Sequence, residues 1–118
     1  MKTLFILFLL LFIDSIYLIF IGKSLFEKMI YKITNDKAKY NIVGIIGSYL
    51  FLWFALEYFI ISKKRPAYEA LLLGLVIYGV FDMTNIALFK NYNIFIGIID
   101  IIWGGLLFYI VANIYYKH

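Results

Sequence analysis

The 118-residue chain has no cysteine, a single proline and a single histidine. Without cysteine it cannot form disulfide bonds or thiolate metal sites. The one histidine is His118, so the sequence has no histidine cluster for a zinc or di-iron centre. It also has no Ser–His pairing and no glycine-rich phosphate loop. The sequence therefore lacks the common motifs of hydrolases, metalloenzymes and nucleotide-binding enzymes.

Apolar residues dominate what is present. They make up 65 % of the chain, and charged residues only 15 %. A soluble domain is close to half apolar and about a quarter charged. A soluble fold would expose much of this apolar surface to water, so we expect the lipid bilayer to surround the protein. The net charge of +4 lies between the apolar runs, which suits anionic lipid head groups and predicts no nucleic-acid partner.

Four apolar stretches divide the chain, at about 4–22, 42–62, 67–89 and 94–116. Each has about 20 residues, the length with which a helix crosses roughly 30 Å of hydrocarbon. The sequence therefore predicts an all-α integral membrane protein with four transmembrane helices in a bundle. We expect residues 1–118 to form a single domain. Pro66 can open the third helix, and "KNYN" at 90–93 is a tight turn that makes the last two spans an antiparallel hairpin.

The long connection at residues 23–41 has an amphipathic pattern. The apolar residues on one helical face are Leu25, Phe26, Met29, Ile30 and Ile33, flanked by Lys23, Lys28 and Lys32. We predict an amphipathic helix in the membrane interface, with a solvated loop as the alternative.

Basic residues are nearly balanced between the two membrane faces, and the KKR cluster at 63–65 favours cytoplasmic termini. Glu57, six residues before Lys63, is expected to pair with lysine or reach the interface.

Three aspartates interrupt the apolar stretches. In a hairpin that turns at 90–93, Asp82 lies eight residues before the turn and Asp100 seven after it. With a rise of about 1.5 Å per residue, both lie roughly 10–12 Å from the same membrane face. The first span runs parallel to the third, and Asp14, nine residues before Lys23, lies roughly 13 Å from that face. The spacing therefore predicts that three carboxyl groups share one layer of the bundle.

Polar and small side chains accompany these aspartates at helical spacing. The residues that share a face with an aspartate are Tyr17 in the first span, Tyr78 and Asn85 in the third, and Gly97, Trp103 and Gly104 in the fourth. The second span offers Ser48 and Tyr49 at a similar depth. The glycines beside Asp100 would let another helix approach closely. We therefore expect a polar layer inside the bundle.

Carboxylates at such depth are costly and normally face the bundle interior or water. No lysine or arginine lies inside the four stretches, so a proton, a cation or a lysine reaching in from a span end must neutralise them. We interpret Asp14, Asp82, Asn85 and Asp100 as an ion or proton site. No cofactor is expected, and a cation bound by the carboxylates is the one ligand considered. The alternative is that protonated aspartates fasten the helices together through hydrogen bonds.

The stretch "FDMTNIALFKNYNIFIGIIDIIWG", residues 81–104, resembles the signature of a family of predicted membrane proteins named domain of unknown function 2177. That signature has a Tyr-Asp-Leu-Thr-Asn segment, then Ala-Thr-Leu, then Asp-x-x-Trp-Gly. The matching residues are Asp82, Thr84, Asn85, Asp100, Trp103 and Gly104. Phe81 and Met83 replace the tyrosine and leucine, and "ALF" at 87–89 lacks the threonine.

Weaker similarity extends over most of the chain. Asp14 followed by Tyr17 resembles an Asp-x-x-Trp in the family's first span, and Pro66-Ala67 resembles the Pro-Ala that opens its third. The resemblance implies a four-span membrane protein of bacteria or large DNA viruses, and no established activity. It adds Thr84 to the residues expected to support the aspartates.

These patterns favour a proton- or cation-linked channel or transporter that uses the aspartate layer. Because four spans are few for such a machine, we expect a homo-oligomer in the lipid bilayer. Two alternatives stay open. One is a structural membrane module that organises partners. The other, less expected, is a membrane enzyme that acts on lipid head groups, with the aspartates holding a metal or moving protons.

Overall fold

The computed structural model describes residues 2–37 and 39–117, and nearly all of them are helical. The helices are α1 (Lys2–Tyr17), α2 (Lys23–Thr34), α3 (Ile42–Leu56), α4 (Ala67–Leu88) and α5 (Ile94–Lys117). Two π-helical turns, Leu18–Gly22 and Glu57–Ile61, continue α1 and α3. The described residues contain no strand.

Four of the resulting helices are long and apolar enough to cross a membrane. They are Thr3–Thr34, Ile42–Ile61, Ala67–Leu88 and Ile94–Lys117. The shortest has 20 residues, which at about 1.5 Å per residue matches the hydrocarbon thickness of roughly 30 Å. The predicted all-α class with four transmembrane helices is therefore confirmed, while the single-domain organisation stays a prediction.

The amphipathic segment forms the second half of one continuous helix. The π-helical turn leads directly into α2, and both Gly22 and Lys23 keep right-handed helical dihedrals. The helix ends at Asn35, whose left-handed φ of 60° closes it. Of the predicted segment 23–41, only Lys23–Thr34 is helical, and Ala38 lies outside the described residues. The 32 residues from Thr3 span roughly 48 Å, so this helix is longer than the membrane core is thick. Its placement in the interface stays a prediction.

Helices α4 and α5 form the most extensive pair in the bundle. Glycines at the contact allow their backbones to approach closely. A Cβ added to Gly74 would lie 2.2 Å from the carbonyl oxygen of Gly104, and one added to Gly105 would lie 2.8 Å from Leu75. Small residues near Asp100 therefore lie where the two helices approach each other most closely.

One half of the bundle contains the apolar core. Its core residues are Ile6, Leu9, Leu10, Leu56, Ile60, Ile61, Ala70, Leu107, Phe108, Val111 and Ala112. They come from the start of α1, the end of α3 with its π-helical turn, the start of α4 and the end of α5. We call this end the apolar half and the opposite end, which contains the three aspartates, the polar half.

In the polar half, α3 stands apart from α4. Helix α1 packs against α3 and α5, but α4 contacts the second span mainly through the π-helical turn Glu57–Ile61. None of residues 42–51 is buried. The two helices therefore meet in the apolar half and separate toward the polar half.

Candidate functional site

Asp14 connects three of the four spans. Its side chain is buried on α1, where Oδ2 accepts a hydrogen bond from the Tyr49 hydroxyl of α3. Its Oδ1 accepts from Nε1 of Trp103 on α5 at 2.8 Å. The Trp103 ring also stacks on Tyr17, with 4.6 Å between the ring centroids. The carboxyl group is therefore held by two donors from neighbouring helices.

Asp82 is the most deeply buried of the three acids, with no exposed surface. Its Oδ1 accepts a hydrogen bond of 2.6 Å from the hydroxyl of Tyr92, which lies in the turn between α4 and α5. Its Oδ2 is also buried and has no hydrogen-bond partner among the described residues. Burial and the hydrogen bond to Asp82 raise the pKa of the Tyr92 phenol, which therefore remains a proton donor near neutral pH.

Tyr92 is a site residue that the sequence pattern does not predict. The pattern indicates only a polar turn there, yet the Tyr92 side chain is buried and folds back onto α4. An aromatic residue in an otherwise polar "KNYN" turn was the available signal. The direction of its side chain depends on how closely α4 and α5 pack, which spacing alone does not give.

Asp100 on α5 is adjacent to Asp82 and Tyr17. Its carboxyl group is close enough to both for side-chain hydrogen bonding, and it also experiences the charge of Asp14. The approach of the helices explains this proximity, since a Cβ on Gly97 would lie 3.7 Å from Cβ of Asp82. Asp82 and Asp100 therefore form a neighbouring pair, and Asp14 is the third carboxyl group of the same region.

The supporting residues differ in their surroundings. Tyr17 is buried and its hydroxyl oxygen lacks a partner of good geometry within the described chain. Asn85 is half-buried and close to the Tyr92 hydroxyl. Thr84 is exposed, about 200° around α4 from Asp82, and so lies outside the buried layer.

Tyr78 and Gly104 form a packing contact between α4 and α5. A Cβ on Gly104 would lie 2.2 Å from the Tyr78 ring, so the glycine is needed where the ring crosses α5. Gly104 therefore lies at a close contact between α4 and α5, and its role in supporting the layer stays a prediction.

Glu57 does not form the expected ion pair with lysine. Neither of the two ion pairs within the described residues involves Glu57, and its Oε2 is buried without a partner. Lys63 instead donates to the carbonyl oxygen of Tyr58 at 3.3 Å and lies 3.6 Å above that tyrosine ring. The reason is local, because the turn after the second span aims Lys63 at the π face of Tyr58.

A cleft of about 680 Å³ opens beside the aspartates. Its polar floor consists of Asp14, Tyr17, Ser48, Tyr78 and Asp100. The remaining lining residues are apolar: Leu18, Phe26, Phe51, Leu52, Phe54, Ala55, Phe59, Ile77 and Phe81. The cleft is the space that opens where α3 separates from α4. Asp82 does not line the cleft, but it neighbours Asp100, which does.

The carboxyl groups of the layer do not surround a single point. In the described part of the chain, no three His, Cys, Asp or Glu side chains come close enough together to hold a metal ion. The closest combination is the pair Asp82 and Asp100. Two neighbouring carboxyl groups can share a proton or a cation, so the ligand expected from the sequence stays a prediction.

The fold and this layer define an α-helical protein that crosses the membrane with four candidate spans and carries buried acids between them. The chain belongs to a family described as predicted membrane protein (DUF2177), whose model matches residues 1–116. The resemblance found in the sequence is therefore confirmed. No curated protein and no solved structure matches the chain.

Proposed function

We propose that the protein moves protons or monovalent cations through the membrane by way of the carboxyl pair Asp82 and Asp100. The observation that carries this proposal is that the two groups are buried side by side, while neither takes part in an ion pair found among the described residues. Two buried carboxylates cannot both stay charged without a neutralising species. Such a pair can therefore bind a proton or cation that arrives and release it again.

The position of Asp14 supports a pathway rather than an isolated pair. Asp14 lines the cleft together with Asp100, and its oxygens already accept hydrogen bonds from Tyr49 and Trp103. A carboxylate can accept more than two hydrogen bonds, so Asp14 keeps capacity for a further donor. The route we propose runs from the cleft past Asp14 to Asp100 and Asp82.

Flux into liposomes that contain the purified protein tests this proposal. We expect Asp82→Asn to reduce proton or cation flux by at least roughly tenfold, because asparagine keeps the shape but cannot gain or release a proton. Glu69→Gln is the matched control. It removes an acid from the first turn of the same helix, where Glu69 pairs with Arg65 at 2.5 Å. Full flux in a folded Asp82→Asn protein would refute the proposal.

A second candidate, a structural membrane module, is favoured by the hydrogen bonds of Asp14. These bonds join α1, α3 and α5, which is what a purely structural acid would do. This candidate predicts that Asp14→Asn and Asp82→Asn both lower the melting temperature, and that the unsubstituted protein conducts nothing. Flux through the unsubstituted protein that depends on Asp82 would exclude it.

A further inference from the structure

We propose that the cleft between α3 and α4 binds amphipathic amines that enter sideways from the bilayer, with the apolar body on the aromatic walls and the protonated amine at Asp14 and Asp100. This assignment rests on the proposed function in one respect, since it names a substrate class for the same aspartates. It is an inference about binding, however, and can be tested without measuring flux.

The mouth of the cleft opens within the hydrocarbon. Phe51 is the tenth residue of its 20-residue span, so it lies roughly 14 Å from the start of that span. Phe81 stands at the corresponding wall of α4, in the second half of a 22-residue span. Both side chains are exposed, Phe51 at 78 % and Phe81 at 55 %. A ligand would therefore reach the cleft from the lipid rather than from water.

The walls suit an apolar body. Aromatic and aliphatic side chains form most of the lining, and the volume of about 680 Å³ falls within the range of roughly 300–1,000 Å³ typical of small-molecule pockets. Phe26, Phe54 and Phe59 add ring faces to the two phenylalanines at the mouth. Ring faces also attract cations, most strongly where water is excluded.

The floor selects a cationic head group that donates hydrogen bonds. Asp14 and Asp100 supply acceptor oxygens, and the Tyr17 hydroxyl is buried with no partner of good geometry among the described residues. Among the described residues that line the cleft there is no lysine or arginine. Anionic heads such as phosphate would be repelled, and neutral alcohols would leave the acidic charge uncompensated. A protonated amine fits both the charge and the acceptors.

Trp103 offers a reporter next to the floor, because its indole N–H donates a hydrogen bond to Asp14, which lines the cleft. The chain has two tryptophans, so Trp53→Phe leaves Trp103 as the single fluorophore. We would titrate this protein, in nanodiscs of zwitterionic lipid, with a long-chain primary amine carrying a nitroxide quencher. A nitroxide alcohol of the same chain length is the matched control for simple partitioning into the bilayer.

We expect the amine to quench Trp103 saturably and to bind at least roughly tenfold more tightly than the alcohol. Ala55→Phe, which fills the cleft, should abolish saturable quenching. Val76→Phe, on the exposed face of α4 outside the cleft, should leave it unchanged. Asp100→Asn should weaken amine binding while leaving the alcohol unaffected. The comparison of amine with alcohol uses a protein in which both aspartates are intact. It therefore does not depend on whether the Asp100→Asn variant folds.

Three results would overturn the inference. Equal quenching by amine and alcohol would mean partitioning or a site for lipid tails. Saturable quenching that survives Ala55→Phe would place the amine elsewhere. Ala55→Phe that dissociates an oligomer, with no amine bound by the unsubstituted protein, would make the cleft an interface between copies. Selective amine binding with no ion flux would refute the proposed function alone, and flux without selective amine binding would refute this inference alone.

Discussion

The two halves of the bundle are held together in different ways. In the apolar half, side chains such as Phe108 and Leu10 are fully buried against neighbours from several spans. In the polar half, hydrogen bonds from Tyr49, Trp103 and Tyr92 hold the acids, and α3 separates from α4. Lipid tails are as apolar as leucine, so burial alone does not favour helix association in a membrane. Close packing of apolar side chains holds the helices of the apolar half together. The polar half is held by hydrogen bonds and leaves a cleft open.

This difference has a direct consequence for function. A packed half can anchor the helices while the other half keeps room for a ligand and titratable groups. The glycine contacts of Gly74, Gly104 and Gly105 extend the close packing of α4 and α5 into the polar half. The opening is therefore confined to the side of α3.

The largest effect on stability should come from the contact between α4 and α5. We expect Gly74→Ala to lower the free energy of unfolding by about 3 kcal/mol, at the upper end of overpacking costs, because its Cβ would meet the Gly104 carbonyl oxygen at 2.2 Å. Chemical unfolding in mixed micelles measures this. Gly79→Ala on the same helix is the control. Its Cβ meets nothing within 4 Å, so stability should stay equal or rise by up to about 1 kcal/mol. Equal losses in both variants would contradict the close approach.

A smaller effect should follow from emptying the apolar half. Phe108→Ala should cost about 2 kcal/mol, from a cavity term of about 24 cal/mol per Å³ over roughly 100 Å³, because a filled site becomes a void. Phe95→Ala, on the exposed face of the same helix at 77 %, should cost close to nothing because lipid replaces the ring. The same unfolding assay compares them. A similar loss of stability in both variants would show that close packing around Phe108 contributes no more than contact with lipid does.

The smallest effects should come from the hydrogen bonds to Asp14. Trp103→Phe and Tyr49→Phe each remove one donor and should each cost about 0.6 kcal/mol, the average for hydrogen bonds between membrane helices. The double variant leaves the acid without either donor, so its cost should exceed the sum of the single costs. A double-mutant cycle measures the coupling. Strict additivity would indicate that the two bonds do not hold the same carboxyl group.

Much of the fold was predictable because membrane spans depend on length and hydropathy. The four helices and the approach of α4 and α5 through glycines followed from residues such as Gly104 and from the polar turn at 90–93. The end of the amphipathic helix at Asn35 was not predicted, although asparagine is one of the residues that commonly end a helix in the left-handed conformation.

The site was predictable in part. The spacing predicted that the three aspartates share a layer, since the rise of a helix relates position in the sequence to distance along its axis. In the structure all three are buried, and their shared role stays a prediction. The rotation of each helix about its axis was not fixed. Three features therefore depend on the packing alone. They are the burial of Tyr92, the exposure of Thr84 and the absence of an ion pair at Glu57 among the described residues.

The sequence by itself determined the medium, the number of spans and the position of the acids along each span, because these depend on composition and on distance along one helix axis. Only the tertiary structure decided that Asp82 neighbours Asp100, that Asp14 binds donors from α3 and α5, and that α3 leaves a cleft beside them. Those features depend on how side chains of different helices fit together, and contacts between helices have no fixed period in the sequence.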